Sequence, residues 1–66
     1  MPRLKPFTTG AKVAVHYGKL TDHREIGRVF ADGTFRLLGG IHRFMPVDDR
    51  AVRQDRQDVY CELEQQ

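Results

Sequence analysis

Residues 25–38 read Glu25-Ile26-Gly27-Arg28-Val29-Phe30-Ala31-Asp32-Gly33-Thr34-Phe35-Arg36-Leu37-Leu38. Asp32-Gly33 sits between two runs rich in β-branched and aromatic residues, the local signature of a hairpin. Two registers fit. A two-residue loop pairs Phe30 with Phe35 and Arg28 with Leu37. A three-residue loop, Ala31-Asp32-Gly33 with glycine in the left-handed position, pairs Val29 with Phe35 and Arg28 with Arg36. The second is preferred, because it gathers Val29, Phe35 and Leu37 on one face, whereas the first mixes arginine with apolar residues. It sets Arg28 opposite Arg36, and like charges across a pair are unfavourable unless something anionic satisfies them. Ile26, Phe30 and Leu38 then share the second face. A sheet that is apolar on parts of both sides suits a small barrel or a strongly coiled sheet better than a flat one.

Upstream, residues 11–17 (Ala-Lys-Val-Ala-Val-His-Tyr) alternate cleanly. Val13, Val15 and Tyr17 fall on one face and Lys12, Ala14 and His16 on the other, which predicts a half-buried strand. Residues 18–24 begin with glycine, are polar, and read as a loop. Residues 1–10 carry Pro2 and Pro6 and read as an extended arm, which Leu4 and Phe7 could tack onto the body.

Downstream, Gly39-Gly40 marks a turn, and residues 41–47 (Ile-His-Arg-Phe-Met-Pro-Val) read as another strand. Pro46 cannot donate to a ladder, so this strand lies at an edge or ends there. Residues 48–64 admit two readings. Asp48 and Asp49 are good helix N-caps, no Gly or Pro follows, and Val52, Val59, Tyr60 and Leu63 form a sparse helical stripe. Val59-Tyr60-Cys61-Glu62-Leu63 also alternates as a final strand would, with Val59, Cys61 and Leu63 inward. The helix is preferred and the strand kept as the alternative.

The expectation is a single small domain over residues 1–66: an arm (1–10), a β body (11–47) and an acidic C-terminal segment (48–66). The fold class is mainly β, a small antiparallel curled sheet or barrel of four to five strands with a C-terminal helix or final strand. In architecture alone it resembles the SH3-like barrels. The 66 residues bury only about 60% of the surface their unfolded chain exposes, and such a core supplies roughly 3–5 kcal/mol. Cys61 is the only cysteine, so no internal disulfide can help. A second subunit would enlarge the core, which keeps a homodimer open as an expectation.

A lone thiol fits a reducing compartment. No apolar run follows the basic N-terminus and none approaches the ~20 residues that span a bilayer. A cytoplasmic protein without membrane partners is therefore expected.

The net charge of +2 hides an asymmetry. Residues 1–47 hold eight bases and three acids, net +5, while residues 48–66 hold three bases and six acids, net −3. The basic body could take up a polyanion. The acidic segment could tune that affinity, pack on its own body, or pack on a second copy; simple solvation is the plainest account of both.

The chain contains no Ser, Asn or Trp, which excludes a serine nucleophile. His16, His23, His42 and Cys61 lack the close ligand pairs of zinc sites, so no metal or other cofactor is expected. Cys61 reads as core, not nucleophile. Asp48 and Asp49, being adjacent, point in different directions and form no catalytic dyad. The glycines match no phosphate-loop pattern. An enzyme is not expected.

Two binding functions remain. The leading one is nucleic-acid binding, DNA or RNA, through a basic sheet face: Lys12, Arg28, Arg36 and Arg43 contact phosphates and Phe30 stacks on bases. The alternative is a small stand-alone regulator or inhibitor of another protein. It would use the sheet edge near Pro46, the Phe44-Met45 surface, or the acidic segment with Asp55 and Asp58.

Overall fold

In a computed structural model, residues 7–64 are described, and they form a closed antiparallel barrel of six strands. The strands are β1 (Lys12–Tyr17), β2 (Leu20–Val29), β3 (Phe35–Leu37), β4 (Arg43–Val47), β5 (Arg50–Arg53) and β6 (Val59–Leu63). Each pairs with the next in the chain, and β6 returns to pair with β1. Closure gives every strand a neighbour on both sides along part of its length, which removes most of the exposed ladder groups an open sheet would present.

The central hairpin adopts the three-residue-loop register, with Val29 opposite Phe35 and Arg28 opposite Arg36. Gly33 takes φ +94°, a conformation open to glycine at little steric cost. The loop is closed by two backbone bonds between Phe30 and its partners: Phe30 N–H to Thr34 O at 2.8 Å, and Gly33 N–H to Phe30 O at 3.0 Å. Thr34, though buried, is satisfied, because its backbone N–H and its hydroxyl both donate to Asp32 Oδ1, at 3.0 and 2.6 Å.

One expectation for this hairpin fails at Gly27. Ile26 pairs with Leu37 but Arg28 with Arg36, so Gly27 is an extra residue, a β-bulge. The bulge shifts the alternation by one residue. Ile26 therefore points into the core and is fully buried, instead of sharing the outer face with Arg28.

The core consists of Phe7, Val13, Val15, Ile26, Phe35, Leu37, Phe44, Ala51, Val59 and Cys61. Phe7 stacks on Phe35 with ring centroids 5.2 Å apart, and Phe35 stacks on Phe44 at 5.8 Å. These three rings form one continuous stack in the core, and Phe7 joins it from outside the strands. The arm is thus tacked on through Phe7; Leu4, expected to help, lies outside the described residues.

The C-terminal segment is corrected. Among the described residues there is no helix; residues 48–64 supply β5 and β6, so the strand count is six, not four to five. Val59 and Cys61 point inward, as the strand alternative required, with Leu63 packed against the core. Asp48 and Asp49 are not helix caps but the two-residue connection of the β4–β5 hairpin, where Val47 opposes Arg50 and Asp48 takes φ +52°. Asp is one of the few non-glycine types that enters this region readily. The boundary expected at residue 47 also disappears, since β5 and β6 close the same barrel as β1–β4.

The loop expected over 18–24 shrinks to Gly18-Lys19, because β2 begins at Leu20. Pro46 lies opposite Ala51 on β5, while the β3–β4 pairing involves only Phe44 and Arg43 on β4. The expected local edge at Pro46 is therefore present.

Candidate functional site

Register alone brings three arginines together. Arg28 on β2 opposes Arg36 on β3, and Arg36 opposes Arg43 on β4. Neighbouring strands lie about 4.8 Å apart, so the three side chains leave one face side by side. All three guanidinium groups surround the Phe30 ring, with Cζ at 3.8 Å from its centre for Arg43, 5.2 Å for Arg28 and 5.7 Å for Arg36.

Magnitudes decide what this cluster is. Like charges directly opposed across strands each work against folding by something within about 0.2–1 kcal/mol. Cation–π contacts at exposed sites return about 0.5–1 kcal/mol apiece. The two effects nearly balance, so the cluster is tolerated without being a source of stability. What is left is concentrated positive charge. Arg28 and Arg36 have no ion pair among the described residues, and Arg43 has only Asp32, at 3.8 Å.

Asp32 is engaged elsewhere as well. The hydroxyl and N–H of Thr34 stabilise its ionised form and, with Arg43 adding a smaller pull, hold its pKa below the ordinary 3.8.

Of the residues expected to contact nucleic acid, Arg28, Arg36, Arg43 and Phe30 are thus gathered. Lys12 is not part of the group. It lies on β1 with its Nζ 3.4 Å from Glu25 Oε1, a cross-strand pair fixed by the register. Phe30 is half-buried and carries arginines on its ring, so it serves as the post that spreads the guanidinium groups more than as an open stacking surface.

The protein-interaction residues separate. Phe44 is 3% exposed and belongs to the core, so the expected Phe44-Met45 surface reduces to Met45. Asp55 and Asp58 are exposed, but each is held in a two-toothed ion pair by an arginine two residues earlier. Arg53 binds Asp55 at 2.5 and 3.0 Å, and Arg56 binds Asp58 at 3.0 and 2.7 Å. These arginines hold both carboxyls below their ordinary 3.8. Glu62 and Glu64 face His16 and His23, at 3.2 and 3.3 Å. Asp55 and Asp58 thus pair within the segment itself, while Glu62 and Glu64 reach across to the body, to histidines and not to its lysines or arginines.

Sequence reasoning missed the open end of the barrel. A cavity of about 490 Å³ there is floored by Val15, Leu37, Phe44 and Val59. Tyr17, Asp22, Arg24, His42, Arg53 and Arg56 stand around it. Tyr17 donates its hydroxyl proton to Asp22 Oδ2 at 2.6 Å, and that bond raises the phenol's pKa above its ordinary 10.0. Reading residues 18–24 as a loop hid Asp22 and Arg24; a strand assignment there would have placed both on the inner face.

Cys61 is fully buried, and desolvation pushes its thiol up to about 12. It stays protonated near neutrality and lacks the thiolate that nucleophilic chemistry uses. Among the described residues, no group of three or more His, Cys, Asp or Glu is placed to hold a metal ion, and no helix is long and apolar enough to cross a membrane.

Comparisons with protein-family models, with curated proteins and with solved structures find no match to this chain.

Proposed function

We propose that the protein binds nucleic acid through the outer face formed by Arg28, Arg36 and Arg43. The observation that supports this most is the row of three arginines in direct cross-strand register around Phe30, with one carboxylate near it. Folding alone gives no reason to place three like charges there, and phosphates are the partner that planar, bidentate guanidinium groups match best. The contact is to the backbone, and affinity follows the counterions released.

Fluorescence anisotropy with a labelled oligonucleotide over a salt series tests this reading. The expected log–log slope is about −2 to −3, given about 0.7–0.9 per phosphate neutralised. Each Arg→Gln change at 28, 36 or 43 reduces it by about one such increment. Absence of binding at low salt, or a triple variant that binds like the parent, defeats the proposal. Truncating residues 48–66 is unsuitable as a test, because it removes β5 and β6 from the barrel.

A protein-partner reading rests on a different observation. Leu38 and Ile41, in the loop between β3 and β4, are 61% and 80% exposed. If salt-sensitive nucleic-acid binding is absent, that loop becomes the leading contact surface for a regulator of another protein.

A further inference from the structure

The two ends of the barrel differ. At one, Phe7 lies on Phe35 and fills the space between the strands. The other holds the 490 Å³ cavity, and charged side chains occupy inward positions there. In the register, Arg24 lies opposite Val13 and Asp22 opposite Val15, both buried valines, and Arg53 lies opposite the buried Phe44. Inward positions of a small barrel are ordinarily filled by apolar side chains. Charges persist here because the mouth is open to water or to a ligand.

Most of these charges already have partners. Asp22 accepts from Tyr17, Arg53 holds Asp55, and Arg56 holds Asp58. Arg24 differs: it donates to a carbonyl, Leu38 O at 3.3 Å, and it has no ion pair among the described residues. The mouth therefore combines an apolar floor with hydrogen-bonding edges and one cation without an ion pair among the described residues, the composition of sites that take up a small ligand.

The mouth is also connected to the arginine row. A second, shallow cleft of about 480 Å³ is lined by Gly27, Arg28, Arg36, Leu37, Leu38, Gly39 and Gly40. Leu37 and Gly40 line both clefts. The cleft beside Arg28 and Arg36 thus adjoins the mouth at the Gly39-Gly40 turn. At Gly39 a Cβ would meet nothing within 4 Å, so its absence leaves the turn open to a chain lying against it.

We infer that the ligand of this surface is single-stranded nucleic acid, with its backbone along Arg28, Arg36 and the Gly39-Gly40 turn and one unstacked base in the barrel mouth. The inference rests on the nucleic-acid reading above and narrows it. A duplex keeps its bases stacked and paired and has none to insert; a single strand can turn one out against apolar and aromatic side chains. Val15, Leu37, Phe44 and Val59 receive the face of the base, while Tyr17, Asp22 and His42 are placed for its edge.

The test compares a 12-nucleotide single strand, the same strand with abasic positions, and the corresponding duplex, by anisotropy at one low salt concentration. The single strand is expected to bind about tenfold or more tighter than the duplex, the loss typical of one base contact. The abasic strand is expected to fall to the duplex level. Val59→Phe, which fills the mouth, should remove the single-strand preference and leave duplex affinity unchanged; circular dichroism establishes that it folds. If it does not fold, Arg24→Gln takes its place and is expected to weaken the single strand selectively. Equal binding of single strand, abasic strand and duplex overturns the mouth as a base site while leaving the arginine surface standing. No binding of any of the three overturns both.

Discussion

Gly27 lies so close to Leu38 that a Cβ at position 27 would stand 2.9 Å from the Leu38 Cα and 3.1 Å from its backbone nitrogen. Both obstacles are main chain, which cannot rotate aside as a side chain would. The bulge at Gly27 is thus more than a change of register: it lets the chain leaving β3 at Leu38 pass directly against β2.

Gly27→Ala must push residues 38–40 outward or undo the bulge. Overpacking of this kind costs about 1–3 kcal/mol, a large share of the roughly 3–5 kcal/mol a core of this size provides. Urea denaturation should show a lower midpoint with an unchanged slope. A variant as stable as the parent would show that the two backbones are not in contact.

Phe7 carries a second prediction. It contributes a buried ring from outside the six strands, and its partner Phe35 is fully buried. Truncation of a buried phenylalanine to alanine costs about 3–5 kcal/mol. That is comparable to the whole stability expected here, so Phe7→Ala should be largely unfolded at room temperature. Phe7→Leu keeps most of the volume and should melt cooperatively at a reduced temperature. A Phe7→Ala protein melting within a few degrees of the parent would remove Phe7 from the core.

The hairpin was legible because its information is local. Asp32-Gly33 fixes the turn, and alternation on either side fixes which residues face each other. The bulge was not legible, since Gly27 reads equally well as an ordinary strand glycine; only the approach of Leu38 reveals why the side chain is missing. β2 was half hidden for another reason. Its first residues place Asp22 and Arg24 inward at an open barrel end, so the apolar alternation that announces a strand never appears. The C-terminal strands were obscured by residues 54–58 (Gln-Asp-Arg-Gln-Asp), which lack Gly and Pro. There the connection is stabilised by side chains, Arg53 to Asp55 and Arg56 to Asp58, instead of by turn residues. The arginine row was readable up to a point: Arg28, Arg36 and Phe30 followed from the hairpin register, and Arg43 joined through β4. Lys12 stands apart from the row because its cross-strand neighbour is Glu25, a pairing that depends on where β2 begins.

Cys61 predicts a specific alkaline instability. Burial raises its thiol from the ordinary 9.0 to about 12, so the native state holds the proton more tightly than the unfolded chain. Below pH 9 both states are protonated and the thiol's contribution is fully present. Between about 9 and 12 the unfolded thiol ionises first, and stability falls as pH rises, by at most about 1.4 kcal/mol per unit from this group. Cys61→Ala should flatten that part of the profile relative to the parent, at the cost of a small cavity. A thiol reagent at pH 8 should leave the native protein unmodified and label it in urea. Rapid labelling of the native protein would contradict the buried position.

Asp32 links the turn to the arginine row, and its two roles can be separated. Thr34 donates two hydrogen bonds to Oδ1, and Arg43 lies 3.8 Å from Oδ2. In Asp32→Asn the amide oxygen still accepts both Thr34 bonds, but the one carboxylate that pairs with the row among the described residues is gone. If the row binds phosphates, this variant should bind oligonucleotides more tightly than the parent and lose affinity more steeply with salt. Asp32→Ala should gain the same charge effect but lose stability with the turn. The acid limb gives an independent check. A carboxyl held below its ordinary 3.8 contributes stability above that value, and the contribution disappears as pH falls through the lowered pKa. The parent should therefore destabilise on acidification more than Asp32→Asn does. Unchanged oligonucleotide affinity in Asp32→Asn, alongside this altered acid profile, would leave Asp32 as a turn residue alone and separate Arg43 from any phosphate contact.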